Sequence, residues 1–123
     1  MVTQEQFRDM LDEVADELPE ELYKGLNGGV IVSGQCRLSE HARANDLYTM
    51  GEYQHSGAMG SRIVIYYGSF LRVYGNCAPE ELKVHLRDVL RHEFRHHIER
   101  QAGSRDLERE DEADIRRYLR GKK

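Results

Sequence analysis

The sequence predicts an α+β fold, a short sheet packed against helices, and three observations predict it. Helical apolar spacing occupies the first 18 residues, β-branched and aromatic runs fill the middle, and a long helical pattern begins at Pro79. At 123 residues the chain is expected to form a single domain, 1–123, large enough for one core and too small for two.

Phe7, Leu11, Val14 and Leu18 recur at helical intervals with charges between them. Thr3 with Gln6 reads as a capping box at the start of this helix, and Pro19 should end it, with Glu20-Glu21-Leu22 opening a short further turn. Gly25, Asn27, Gly28 and Gly29 mark a loop. Val30-Ile31-Val32 opens an extended stretch expected to run to Leu38, and Leu47 to Tyr53 is a second strand candidate. His55 to Gly60, rich in small residues, reads as a hairpin loop. Arg62-Ile63-Val64-Ile65-Tyr66-Tyr67 is the strongest strand pattern, and Ser69 to Tyr74 a short helix. Pro79 suits the first position of a helix, with Glu80 and Glu81 at its positive end. That helix is expected to run to about Gln101 and stop at Gly103 as a left-handed cap, and a last helix to cover about Leu107 to Leu119.

Composition narrows the function. Charged residues make up 33% and hydrophobic residues 39%, a solvated globular pattern, and the formal charge of −4 argues against nucleic acid as the main partner. The arginines that crowd the C-terminal third alternate with carboxylates, as helical ion pairs do. No apolar run approaches the roughly 20 residues that cross a bilayer, and the N-terminus has no signal-peptide pattern. Cys36 and Cys77 form no C-x-x-C pair, a usage that suits a reducing cytoplasm.

His92-Glu93-Phe94-Arg95-His96 spells H-E-x-x-H inside the long helix. Side chains four apart stand about 40° apart on a helix, so the two imidazoles can grip one zinc ion while Glu93 reaches a metal-bound water as general base. Three specified residues at this spacing arise by chance in roughly fewer than one per cent of chains this short. On a helical wheel Leu82, Leu86, Val89, Leu90 and Phe94 form the apolar arc, with Ile98 at its edge. Glu93 falls between that arc and the histidines, and Arg87, Arg91 and Arg95 lie opposite. His97 faces the apolar side as a core histidine, with a ligand or orienting role as its alternative, and His85 carries no comparable argument.

A catalytic zinc site takes three protein ligands, so the third must follow the helix. Asp106, after the Gly103 turn, is one choice, with a helix N-cap as its alternative role. Glu110 and Asp114 on the last helix are others, with a salt-bridged surface as theirs. Tyr53, Tyr66 and Tyr67 are candidates for an oxyanion donor, each equally explicable as packing.

On Leu18-Pro19-Glu20-Glu21-Leu22, Ile63-Val64-Ile65-Tyr66 and Val89 to His97, the chain resembles the small bacterial zincin-like (minimal zincin) metallopeptidases. The resemblance spans most of the chain, and only the H-E-x-x-H-H core of it is specific. It implies a zinc-dependent peptidase acting on a peptide or protein, with His92, His96 and Asp106 as ligands and Glu93 as base. Glu110 is the alternative third ligand from the residues themselves. Gly103 and Asp106 sit four residues later than in the short family pattern, and Arg95 stands where zincins usually carry a small or neutral residue. Two readings of other classes remain: a non-catalytic module stapled by zinc, and a metal-free scaffold that binds another protein.

Overall fold

The computed structural model describes residues 1–39 and 47–104. The first helix, α1 (Gln4–Asp16), begins at the capping box: the Thr3 hydroxyl accepts the Gln6 N–H at 3.1 Å, and the Gln6 side chain accepts the Thr3 N–H at 2.9 Å. It stops two residues short of the expected Leu18, and Pro19 caps a single 3-10 turn, Glu20–Tyr23. Leu18 and Leu22 are nevertheless buried, so the apolar spacing outlasts the helix.

Strands β1 (Val30–Ser33), β4 (Gly51–Ser56) and β5 (Gly60–Tyr66) form one sheet in the order β1-β5-β4. β5 lies parallel to β1, with Val32 opposite Ile65, and antiparallel to β4, with Tyr53 opposite Ile63. The short strands β2 (Arg37–Leu38) and β3 (Tyr48–Thr49) pair separately. The continuous strand expected from Val30 to Leu38 is therefore two strands. The chain turns after Ser33, and the Arg37 N–H donates to Ser69 Oγ at 2.9 Å, which leads β2 away from the main sheet.

Helix α2 (Tyr67–Tyr74) follows β5 directly, and α3 (Pro79–Ser104) starts with proline at its first position as the sequence predicts. Gly103 is helical rather than a left-handed stop, because only Gly25, Gly29 and Gly60 take positive φ among the described residues. Asp106, Glu110, Asp114 and the helix expected at 107–119 lie outside the described residues.

The core lies between α1, α3 and one face of the sheet. Phe7, Leu11 and Val14 meet Leu82, Leu86, Leu90, Phe94 and Ile98 over Ile63 and Ile65. The apolar arc read from the sequence is thus the buried face of α3, with Val89 half-buried beside it. The arginines do not all face outward. Arg91 is buried and Arg95 half-buried, because the long stems of these side chains lie along the helix flank beside β4. No helix among the described residues is long and apolar enough to cross a membrane.

Candidate metal centre

His92 and His96 stand one turn apart on the exposed flank of α3. Their Nε2 atoms are 3.3 Å apart and their rings nearly perpendicular, with centroids at 4.8 Å. Two nitrogens bound to one tetrahedral zinc at about 2.0–2.1 Å each would lie about 3.3–3.4 Å apart. The spacing therefore fits two corners of a zinc tetrahedron. His96 Nδ1 lies 3.6 Å from Glu99 Oε1, the sort of outer contact that leaves Nε2 for another partner. Among the described residues no group of three His, Cys, Asp or Glu side chains converges as a metal cage. The described part of the chain brings two imidazole nitrogens together, and the sequence candidates for a third ligand, Asp106, Glu110 and Asp114, fall beyond it.

Glu93 occupies a different setting from its neighbours. It is only 7% exposed, wedged between the histidine flank and the sheet. Burial pushes its carboxyl above the usual range; the positive field of His96 and the main-chain N–H of Tyr53 work against that, and Glu52 adds to it. A carboxylate that takes protons readily beside two imidazoles is suited to general-base work.

Gly51 explains how the helix comes so near the strand. A Cβ there would lie 3.0 Å from Val89 Cγ1 and 3.1 Å from Ile65 Cδ1, so only glycine lets α3 press on the start of β4 without displacing either. One turn beyond Val89 comes Glu93, and one turn beyond that His97, all on one face. Beside this face, a cavity of about 620 Å³ opens between α3 and Thr49, Met50 and Gly51. His92, Glu93, Arg91 and Arg95 contribute to its wall, together with Val84, Arg87, Asp88 and Val89. Arg95 Nε is buried there with no hydrogen-bond partner among the described residues.

β4 is an edge strand in the described sheet. The Tyr66 N–H donates to the Met50 carbonyl at 2.9 Å, and the antiparallel alternation then turns the main-chain groups of Gly51, Tyr53 and His55 away from β5. The outer side of β4 and the cavity adjoin at Gly51.

His97, the expected core histidine, is 1% exposed and bonded at both nitrogens. Nε2 lies 2.7 Å from the Lys24 carbonyl and Nδ1 2.8 Å from the Tyr53 hydroxyl. A carbonyl only accepts, so Nε2 carries the proton and Nδ1 accepts from tyrosine. Burial pushes the His97 pKa down, the Lys24 bond opposing and His55 and Arg100 assisting, which favours this neutral ring. Ser61 Oγ extends the network, at 2.8 Å from the tyrosine oxygen and 2.7 Å from His55 Nδ1. None of the three tyrosines considered as oxyanion donors has a free hydroxyl. Tyr53 is held by His97, Tyr66 donates to Glu52 at 2.9 Å, and Tyr67 donates to the Val2 carbonyl.

The sequence reading named His92, Glu93 and His96, and gave Tyr53 only as an oxyanion candidate rather than as the partner of His97; it missed the role of Gly51 and the inward arginines. The signal for Gly51 was present, a lone glycine inside a strand pattern. Tyr53 and His97 lie 44 residues apart, and no local pattern links them. No family model and no curated protein matches the chain. A solved structure of a conserved hypothetical protein from Thermo thermophilus is similar to it, with 29% identity and a TM-score of 0.71 over 84% of this chain and 100% of that one.

Proposed function

We propose that the protein is a zincin-like, zinc-dependent metallopeptidase. The observation that carries the reading is the 3.3 Å separation of the His92 and His96 Nε2 atoms, an edge of a zinc tetrahedron, with the buried Glu93 between them and the sheet. Bound there, zinc would supply Lewis acidity toward a peptide carbonyl and a water of pKa about 7. His92 and His96 would hold the ion from one helix face, joined by a carboxylate from the segment after α3, Asp106 or Glu110. Glu93 takes a proton from the attacking water and returns it to the leaving amine, a role its raised proton affinity supports. At Gly51 the outer side of β4 would offer main-chain groups to an extended peptide beside the cavity, short of Tyr53, whose N–H faces Glu93.

The exposure of both imidazole rings favours a catalytic centre over a closed structural one, since a structural zinc is wrapped by four protein ligands. A cytoplasmic setting belongs to the same reading and rests on the free thiols of Cys36 and Cys77. The test is Glu93→Gln against fluorescein-labelled casein. Hydrolysis should fall about 10²- to 10⁴-fold with zinc stoichiometry unchanged, whereas His92→Ala and His96→Ala should lose the metal. Undiminished cleavage by Glu93→Gln rules the role out.

A further inference from the structure

We propose that His97 is a positioning residue for the Glu93 base, acting through Tyr53; the inference rests on the hydrolase reading above. Three residues of α3 share one face at four-residue intervals, Val89, Glu93 and His97, and the outer two clasp β4. Val89 meets the strand at Gly51, where there is room for no side chain. His97 meets it at Tyr53, through a 2.8 Å hydrogen bond and ring contact at 5.3 Å between centroids. Glu93 sits midway between these clamps, with the Tyr53 main-chain N–H facing its carboxylate.

The clamp at His97 is anchored on its far side as well. Its Nε2–H is tied to the Lys24 carbonyl at 2.7 Å, and Gln101, one turn further on, donates to that same carbonyl at 2.8 Å. The carbonyl is presented by the chain reversal at Gly25, whose φ of +79° suits glycine. A doubly bonded imidazole has a fixed ring plane and tautomer, so it gives the Tyr53 hydroxyl a fixed partner beside Ser61 Oγ. Tyr53 is then held at its hydroxyl by His97 while its amide faces the base. The network fixes how the strand edge stands against the carboxylate, and so the orientation in which Glu93 meets a proton donor.

Two substitutions separate this role from general packing. In His97→Asn, Oδ1 falls near the old Nδ1 and keeps an acceptor for Tyr53. In His97→Gln, Nε2 falls near the old Nε2 and keeps the donor to Lys24 while the tyrosine contact is lost. Zinc content, casein hydrolysis and the amide resonance of Tyr53 in ¹H–¹⁵N spectra are measured for both, beside Tyr53→Phe. The Gln and Phe variants should move that resonance alike and lower kcat about tenfold or more at unchanged zinc content and KM. The Asn variant should recover most of the rate and the wild-type resonance. Equal losses in Asn and Gln, tracking thermal stability, would overturn the proposal, as would a Tyr53 amide that Tyr53→Phe and His97→Gln leave unmoved. If wild-type protein leaves casein intact while the amide responds as described, the hydrolase reading fails and the positioning contact stands.

Discussion

Replacing Gly51 with alanine tests the contact that brings α3 onto the strand. The new methyl would lie 3.0 Å from Val89 Cγ1, 3.1 Å from Ile65 Cδ1 and 3.3 Å from the Val64 carbonyl. All three are closer than an ordinary van der Waals contact. Ile65 is wholly buried in the central strand and the Val64 carbonyl is backbone, so neither yields easily; Val89, half-buried on α3, must give way. Overpacking of this kind destabilises by about 1–3 kcal/mol, and the lost freedom of glycine in the unfolded chain returns about 0.4–1 kcal/mol. The net expectation is a loss of about 0.5–2 kcal/mol. At about 2.1 cal/mol/K of unfolding entropy per residue, a chain of 123 residues loses about 4 °C of Tm per kcal/mol, so Tm should fall about 2–8 °C. Scanning calorimetry of Gly51→Ala, Val89→Ala and the double variant measures the coupling, because shortening Val89 removes the nearest clash. The double variant should lie well above the sum of the two single losses. An unchanged Tm in Gly51→Ala, or strictly additive losses, would refute the claim that this glycine sets the helix–strand distance.

The pair that ties α1 to α3 should make part of the stability acid-sensitive. Arg87 binds Glu17 through Nε at 2.6 Å and Nη2 at 2.8 Å, and that hydrogen bond leads the interactions that hold the Glu17 carboxyl below the usual range. A depressed native pKa adds stability above the unfolded value and loses it as pH falls through the native one. Both side chains are about a third exposed, so the expected loss in Glu17→Gln at pH 7 is at most about 1 kcal/mol. Urea melts across pH should show the variant converging on wild type at acid pH, and a constant gap would contradict the assignment. For the metal, Asp106→Asn should weaken zinc binding in competition with a chromophoric chelator by more than the about 10- to 100-fold that loss of an outer partner brings. If Glu110→Gln does so instead, Glu110 is the ligand; zinc retained by both variants and by Asp114→Asn would refute the three-ligand set.

What the sequence made legible is what short-range physics decides. Thr3 and Gln6, three residues apart, satisfy each other's main-chain donors, and Pro79 needs no partner for its missing N–H. His92 and His96 are set side by side by helix geometry alone. The long-range relations were hidden. The parallel pairing of β1 with β5 joins residues more than thirty apart, and the break after Ser33 follows from Ser69 capturing the Arg37 amide. The arginine flank was misjudged for the same reason. A wheel places Arg91 opposite the core, but β4 and its preceding turn lie beside that flank, and only their position shows that the stem will be covered. The α+β arrangement was readable because it needs only the order of elements; which strand lies beside α3 was not.

The burial of Glu93 bears on whether this site serves activity or stability. A carboxylate held above its usual pKa is more easily ionised in the unfolded chain than in the native one, so its ionisation works against folding. Stability from this group is complete below the unfolded value and declines as pH rises from there through the native pKa. In metal-free protein, Glu93→Gln keeps the shape and removes the charge. The variant should therefore be the more stable of the two at neutral pH, with the advantage shrinking as pH falls toward the unfolded carboxyl range. Thermal melts in the presence of chelator from pH 4 to 8 measure this directly. A residue whose neutral isostere strengthens the apo-protein is retained against the folding free energy, as functional groups are. A Glu93→Gln variant that melts below wild type at neutral pH would mean that the carboxylate holds the fold together, and the case for it as a base would lose its thermodynamic support.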